Sequence, residues 1–172
     1  MELASLRGMK PSEAEASMRI LHVVAEADST PPVDGDRILG AVAEKTGAMT
    51  TAEGPIDLDR ELKRLASEDA KRLTMRAALA IAAIDGKCTA DEHRLLVKLD
   101  AALGGGLNLA KAEADWIARM AETRKAVAAV TDGFLHEVGR ASAIAELSPQ
   151  RYEALLADFE KKKRELMTKA IS

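Results

Sequence analysis

Carboxylates cluster around one turn of the chain, where Asp85-Gly86 is followed within a few residues by Asp91 and Glu92. Asp85 comes directly after a long apolar run, at a point where a helix presents unpaired carbonyl groups and partial negative charge. A carboxylate is disfavoured there unless a cation or a hydrogen-bond donor compensates it. Hard cations accept carboxylate and carbonyl oxygens together, and this turn offers both. The pattern therefore indicates a divalent-cation site, with calcium as the candidate ion.

The same residues also suit ordinary structural roles. Asp-Gly is a common turn dipeptide, and Thr89 with Glu92 three residues later forms a capping box for the next helix. The stretch is not an EF-hand, because Leu96 stands at the twelfth position from Asp85, where that loop needs glutamate. Cation binding and turn-and-cap chemistry therefore both remain open for Asp85 and Glu92.

No catalytic constellation can be assembled from the other reactive residues. Cys88 and His93 are five residues apart, but no orienting acid or oxyanion loop accompanies them. His22 and His136 are isolated in the sequence. The run Lys161–Arg164 is offset by neighbouring acidic residues, so a solvated face or a partner helix is expected rather than a lipid contact. We expect a non-enzymatic protein.

Charge and cysteine usage exclude several functional classes. The 172 residues carry a net charge of only -3, with both signs mixed along the chain, so we expect no nucleic-acid partner. The single cysteine cannot form an intramolecular disulfide, which suits a reducing cytoplasm. Neither a signal peptide nor a long apolar segment is recognisable. We expect a cytoplasmic protein that is at most peripheral to the inner membrane.

Helical periodicity dominates the sequence, and no segment alternates in the way a strand does. Aromatic residues make up only 2% of the chain, so the core must be aliphatic. The pattern predicts an all-α fold, a compact bundle of about seven helices. Helical signals cover residues 12–27, 35–45, 57–65, 67–84, 90–103, 108–123, 125–147 and 149–171. The predicted caps are Ser12, Ser67, Asn108 and Ser148, and Gly47 is a predicted helix stop. The helix over 67–84 is apolar nearly all round at its end, so we expect it to be the most buried.

Two of these helix pairs read as degenerate copies of one helix-turn-helix unit. A shift of 57 residues aligns Met18-Arg19 with Met75-Arg76, Asp28 with Asp85, Asp34 with Asp91 and Gly47 with Gly104. Alanine-rich helices also resemble one another through shared composition, which remains an alternative. If the repeat is real, the two units are expected to pack about a pseudo-twofold axis.

The stretch from Leu65 to Gly104 resembles the tellurite-resistance TerB-like family, a bacterial all-helical fold. The resemblance lies in a long helix ending in A-A-x-D-G, a short turn, and a helix that opens with x-D-E and closes with L-G. It extends more loosely over residues 14–147, which we take as the domain, followed by a C-terminal amphipathic helix over 148–172. The family implies a role in stress response.

The resemblance also implies a divalent cation held by acidic turns. Carried over, its ligands are Asp85 and Glu92, with Asp91 beside them, and the first copy contributes Asp28 and Asp34. That copy departs from the pattern, because Ser29 replaces the glycine and Gly35 replaces the glutamate.

Two functions remain in competition. The leading hypothesis is a non-enzymatic TerB-like module that binds a divalent cation and acts in stress response through protein contacts. The alternative is a metal-free, co-chaperone-like scaffold. Both imply an unknown protein partner, with a homodimer as one form of it.

Overall fold

The computed structural model describes residues 9–27, 35–49, 54–144 and 147–171. It confirms the all-α prediction, since the described residues form seven helices and no strand. The helices are α1 (Pro11–Glu26), α2 (Gly35–Thr46), α3 (Leu58–Arg64), α4 (Glu68–Ala83), α5 (Ala90–Leu103), α6 (Leu109–Ala143) and α7 (Pro149–Ala170). No helix among these residues is long and apolar enough to cross a membrane.

Side-chain caps fix most of the helix starts where the sequence predicts them. Ser67, Thr89, Asn108 and Ser148 each accept a backbone N–H from the first turn of the helix that follows. The cap predicted for α1, Ser12, was wrong by two positions. The helix begins at Pro11, directly after Lys10, and the Glu13 carboxylate accepts the backbone N–H of Lys10.

The centre of the core is α4. Eleven of its 16 residues are buried, and α1, α2, α5 and α6 all pack against it. Alanines such as Ala77, Ala78 and Ala80 are fully buried, so neighbouring helices can approach α4 closely. This agrees with the expectation that the most uniformly apolar helix is the most buried one.

Equivalent residues of the two helix pairs meet where α1 crosses α4. Ser17 and Thr74, 57 residues apart, are both fully buried, and their hydroxyl oxygens lie 2.8 Å apart in a hydrogen bond. Residues on a twofold axis contact their own equivalents. The contact supports the repeat, which stays a prediction.

A buried carboxylate ties α1 to the start of α4. Glu13 Oε1 accepts the backbone N–H groups of Ala66 at 3.0 Å and Ser67 at 2.7 Å. The Ser67 N–H in particular lowers the pKa of Glu13, against the opposing effect of burial. Glu13 therefore satisfies donors that the α3–α4 connection leaves unpaired.

Residues 109–143 form one helix, whereas the sequence pattern predicts two helices that meet near Thr123. No glycine or proline interrupts the chain there, and the Thr123 hydroxyl bonds the Arg119 carbonyl oxygen without breaking the helix. The glycines at 133 and 139 are also accommodated within α6. Local preference for a break was too weak to end a helix in the absence of a strong breaker.

The second part of α6 leaves the core and pairs with α7. We call residues 124–144 and 147–162 the arm, and the rest of the described chain the body. Within the arm only Ala141 is buried, at 1% exposure. The C-terminal end of α7 returns to the body, where Met167, Ala170 and Ile171 join the core.

Candidate functional site

The α4–α5 turn compensates the charge of Asp85 with donors from Lys87. Asp85 lies just beyond the end of α4, and its Oδ1 accepts the backbone N–H of Lys87 at 3.1 Å. The ammonium group of Lys87 lies 3.9 Å from Oδ2. These contacts supply the compensating donor that a carboxylate at a helix C-terminus requires.

Glu92 forms the capping box that the sequence predicts. Its Oε2 accepts the backbone N–H of Thr89 at 2.7 Å and the Thr89 hydroxyl at 2.8 Å. In return the Thr89 hydroxyl oxygen accepts the backbone N–H of Glu92. Glu92 is buried, and these contacts engage one of its two carboxylate oxygens.

The remaining predicted ligands are not gathered at this turn. Asp91 is exposed and forms an ion pair with Arg94 one turn further along α5. Asp28 and Asp34 lie outside the described residues. Of the five predicted ligands, the structure therefore places Asp85 and Glu92 in one neighbourhood, with Asp91 paired separately.

The thiol of Cys88 lies among carboxylates at the same turn. Burial raises its pKa to about 12, and the charges of Glu113, Glu92 and Asp85 reinforce the shift. Cys88 is half-buried and packs against the core. A thiol with such a pKa stays protonated at neutral pH, so Cys88 is unsuited to act as a nucleophile.

A carboxylate from α6, which the sequence analysis missed, completes this neighbourhood. Glu113 Oε1 lies 2.6 Å from Nδ1 of His93 on α5, and the Glu113 side chain is only 15% exposed. No local spacing links residues 20 positions apart. Helical periodicity was the available sequence signal. Ala112 packs against the core, so Glu113, the next residue, lies beside that face of α6.

Arg124 brings a positive charge to the same turn. Gly86 adopts a φ of +95°, and a Cβ there would lie only 2.8 Å from Nη2 of Arg124. Glycine is therefore favoured at 86 by its backbone conformation, and the flexible guanidinium end of Arg124 lies against it. We name Asp85, Glu92 and Glu113 the acidic cluster.

No three His, Cys, Asp or Glu side chains in the described part of the chain form a group that could hold a metal ion. The members of the acidic cluster are near enough to influence Cys88, yet each is engaged by protein groups. The hydrogen bonds of Asp85 and Glu92 stay within the α4–α5 turn, and Glu113 connects α6 to α5 through His93.

No protein-family model matches the chain, and no curated protein or solved structure matches it either. The TerB-like resemblance therefore rests on the motif in residues 65–104 alone. Function has to be inferred from the residues and their arrangement.

The arm is the second candidate, because it exposes large apolar side chains. Leu135 is 60% exposed, Ile144 57% and Tyr152 40%. Phe134 of α6 stacks on Phe159 of α7 with ring centroids 4.6 Å apart. The ring of Phe134 also lies 6.2 Å from that of Tyr152. These aromatic contacts hold the two helices together, whereas Leu135 and Ile144 are mainly exposed.

The basic run on α7 is not uniformly solvated, which corrects the expectation for residues 161–164. Lys163 is 6% exposed, its ammonium nitrogen lies 4.3 Å from the centre of the Phe159 ring, and it pairs with Glu160. The cation–π contact and the ion pair compensate the burial of its charge. Lys163 also lines a cavity of about 540 Å³ between α2 and α7.

Proposed function

We propose that the chain is a non-enzymatic helical module that acts through protein contacts made by its arm. The observation that carries the proposal is the arm's sparse burial combined with its exposed apolar side chains. Three of the six large apolar side chains that are exposed in the described residues belong to the arm, and exposed apolar surface is typical of interaction sites. A helix pair is also a common element for presenting a contact surface to another helical protein.

The chemistry of the turn agrees with a non-enzymatic role. Burial and nearby carboxylates raise the pKa of the Cys88 thiol to about 12, so it stays protonated at neutral pH. Nucleophilic catalysis by a thiol requires the thiolate. A role in bacterial stress response, as the TerB-like resemblance implies, is part of the proposal and is tested by the tellurite sensitivity of cells that lack the chain.

The test is affinity capture of partners with matched surface variants. We expect wild-type protein to retain a reproducible set of proteins that the double variant Leu135→Asp/Tyr152→Asp loses. Val97→Asp is the control, because Val97 is an exposed apolar residue of the body. A captured protein should then bind in purified form, with a Kd raised at least tenfold by the arm variant alone. Equal binding by all three proteins would contradict the proposal.

Divalent-cation binding is a second candidate, favoured by the convergence of Asp85, Glu92 and Glu113 around Cys88. Calcium suits oxygen ligands of this kind. Binding would require rearrangement of the hydrogen bonds that now engage these groups. Titration calorimetry with calcium, magnesium, manganese and zinc tests it, alongside thermal melts with each ion.

Saturable heat and a higher melting temperature, both lost in Asp85→Asn and in Glu113→Gln, would support a site. Asp91→Asn is the matched control, since Asp91 pairs separately with Arg94. Absence of heat and of any shift at millimolar ion would remove this candidate.

A further inference from the structure

The arm carries a face of α6 that lies opposite the stripe by which this helix packs, and three of its residues, Ala129, Gly133 and His136, also line a groove against α7. Met120, Val127, Phe134 and Ala141 recur every seven residues, and this stripe packs against the body and α7. The opposite side, which we call the outer face, is exposed throughout. It consists of Ala129, Asp132, Gly133, Gly139, Arg140 and Ala143, centred on His136.

No contact within the described residues explains two glycines of the outer face. Gly133 and Gly139 lie inside α6, where glycine is unfavourable relative to alanine. A Cβ at either position would meet no atom within 4 Å, and neither glycine has a positive φ. Glycine at these positions would instead allow a second helix to approach closely from outside.

The residues of the outer face are arranged symmetrically about His136. Asp132 and Arg140 lie four residues before and after it, and Gly133 and Gly139 lie three before and after. Ala129 and Ala143 complete the pattern at seven. In an antiparallel pair of identical helices centred on residue 136, each of these residues faces its counterpart, because a twofold axis relates the copies.

The charges of the outer face complement each other under the same symmetry. Asp132 of one copy would face Arg140 of the other, twice across the axis. Asp132 has no ion pair within the described residues, and Arg140 makes only an exposed contact with Glu137 at 2.9 Å. Exposed ion pairs of this kind are weak, so Arg140 can exchange its pair with Glu137 for a pair with Asp132 of the other copy.

We infer that the outer face binds a second copy of this chain, with the two α6 helices antiparallel about His136. An unrelated partner would not require small and charged residues to repeat symmetrically about one position. The inference rests on the proposed function, which assigns protein contacts to the arm. It adds that the outer face makes one such contact and that the partner is a second copy of this chain.

Mass measurement in solution tests the inference. Light scattering after gel filtration should give twice the 18.4 kDa of one chain. The double variant Gly133→Leu/Gly139→Leu should raise the dimer dissociation constant at least a hundredfold, because the helices can no longer approach. Leucine favours a helix more than glycine, so this variant should retain full helicity by circular dichroism. Ala154→Leu, at an exposed position of α7, should remain dimeric.

Charge reversal tests the register. Asp132→Arg and Arg140→Asp should each weaken the dimer at least tenfold, and the two changes combined should restore it. His136→Cys in a Cys88→Ser background should form a disulfide-linked dimer on mild oxidation, whereas Ala128→Cys in the same background should not.

A monomeric wild-type protein at 1 mM, or a dimer that the glycine and charge variants leave unchanged, would overturn the inference. Neither result depends on capture of another protein. Conversely, a dimer that behaves as expected, with no partner lost by the arm variant Leu135→Asp/Tyr152→Asp, would count against the proposed function alone.

Discussion

The long helix α6 differs sharply from α4 in how much of it is buried. Most of α4 is buried, whereas α6, with 35 residues, buries only Met120 and Ala141. In α4 each apolar residue is explained by a neighbour in the same molecule. In the arm, Leu135 and Ile144 are largely exposed, and a Cβ at Gly133 or Gly139 would meet no atom of the described residues within 4 Å. The difference separates residues that the fold requires from residues that an external contact would explain.

The largest expected effect comes from matched truncations in the two regions. Ile81→Ala, at a buried position of α4, should lower the free energy of unfolding by about 2–5 kcal/mol through lost burial and a cavity. Leu135→Ala in the arm should change it by less than about 0.5 kcal/mol. Urea unfolding at a protein concentration that keeps the chain monomeric provides the measurement. Similar losses in both variants would show that the arm is packed as tightly as the body.

The buried carboxylate of the body should give the next largest effect. Glu13→Gln should lower the free energy of unfolding by about 1–3 kcal/mol, because three backbone donors lose a charged acceptor. Glu15→Gln is the control and should have a smaller effect, since Glu15 forms an exposed ion pair with Arg64. The comparison is made by thermal melts at neutral pH.

The same residue should make stability depend on pH. The pKa of Glu13 is lowered in the folded chain from its ordinary value of 4.5. Its stabilisation is therefore fully present above that value and is lost as the pH falls through the lower folded pKa. Melts between pH 7 and pH 3 should show a smaller acid-induced loss in Glu13→Gln than in wild type. Parallel curves would exclude Glu13 as a contributor.

The contact between α1 and α4 should give a smaller, cooperative effect. A double-mutant cycle of Ser17→Ala and Thr74→Val should yield a coupling energy of about 1 kcal/mol, typical of a buried hydrogen bond. Ser142→Ala, at an exposed position of the arm, should show no coupling with Thr74→Val. A coupling near zero would remove the hydroxyl contact as a link between the two helix pairs.

The smallest expected effect on stability concerns the turn that holds Cys88, and the quantity measured there is the reactivity of its thiol. Because the pKa of Cys88 is raised to about 12, iodoacetamide at pH 8 should modify it at least tenfold more slowly than in the unfolded chain. Glu113→Gln should accelerate the reaction by removing a nearby negative charge. An unchanged rate in that variant would indicate that burial alone protects the thiol.

Local chemistry made much of the fold predictable from the sequence. The caps at Ser67, Thr89, Asn108 and Ser148 and the stop at Gly47 lie where side-chain hydrogen bonding and a positive φ require them. The continuity of α6 was not predictable in the same way, since the sequence near Thr123, where two helices were predicted to meet, carries no strong signal for either a break or a continuous helix.

The candidate site was predictable only in part. Thr89 and Glu92 are neighbours in sequence, so their capping box could be derived. Glu113 and Arg124 reach the same turn only because α6 packs across α4, and no spacing in the chain encodes that approach. Distant contacts of this kind depend on the assembled fold.

Because α7 returns to the body, both ends of the arm are attached to it. The stripe from Met120 to Ala141 repeats every seven residues, close to two turns of helix. Seven residues added to α6 and seven to α7 would lengthen the arm by about 10 Å and leave the body's contacts in place. The reach of the arm could thus be changed in whole repeats without altering the residues that form the core.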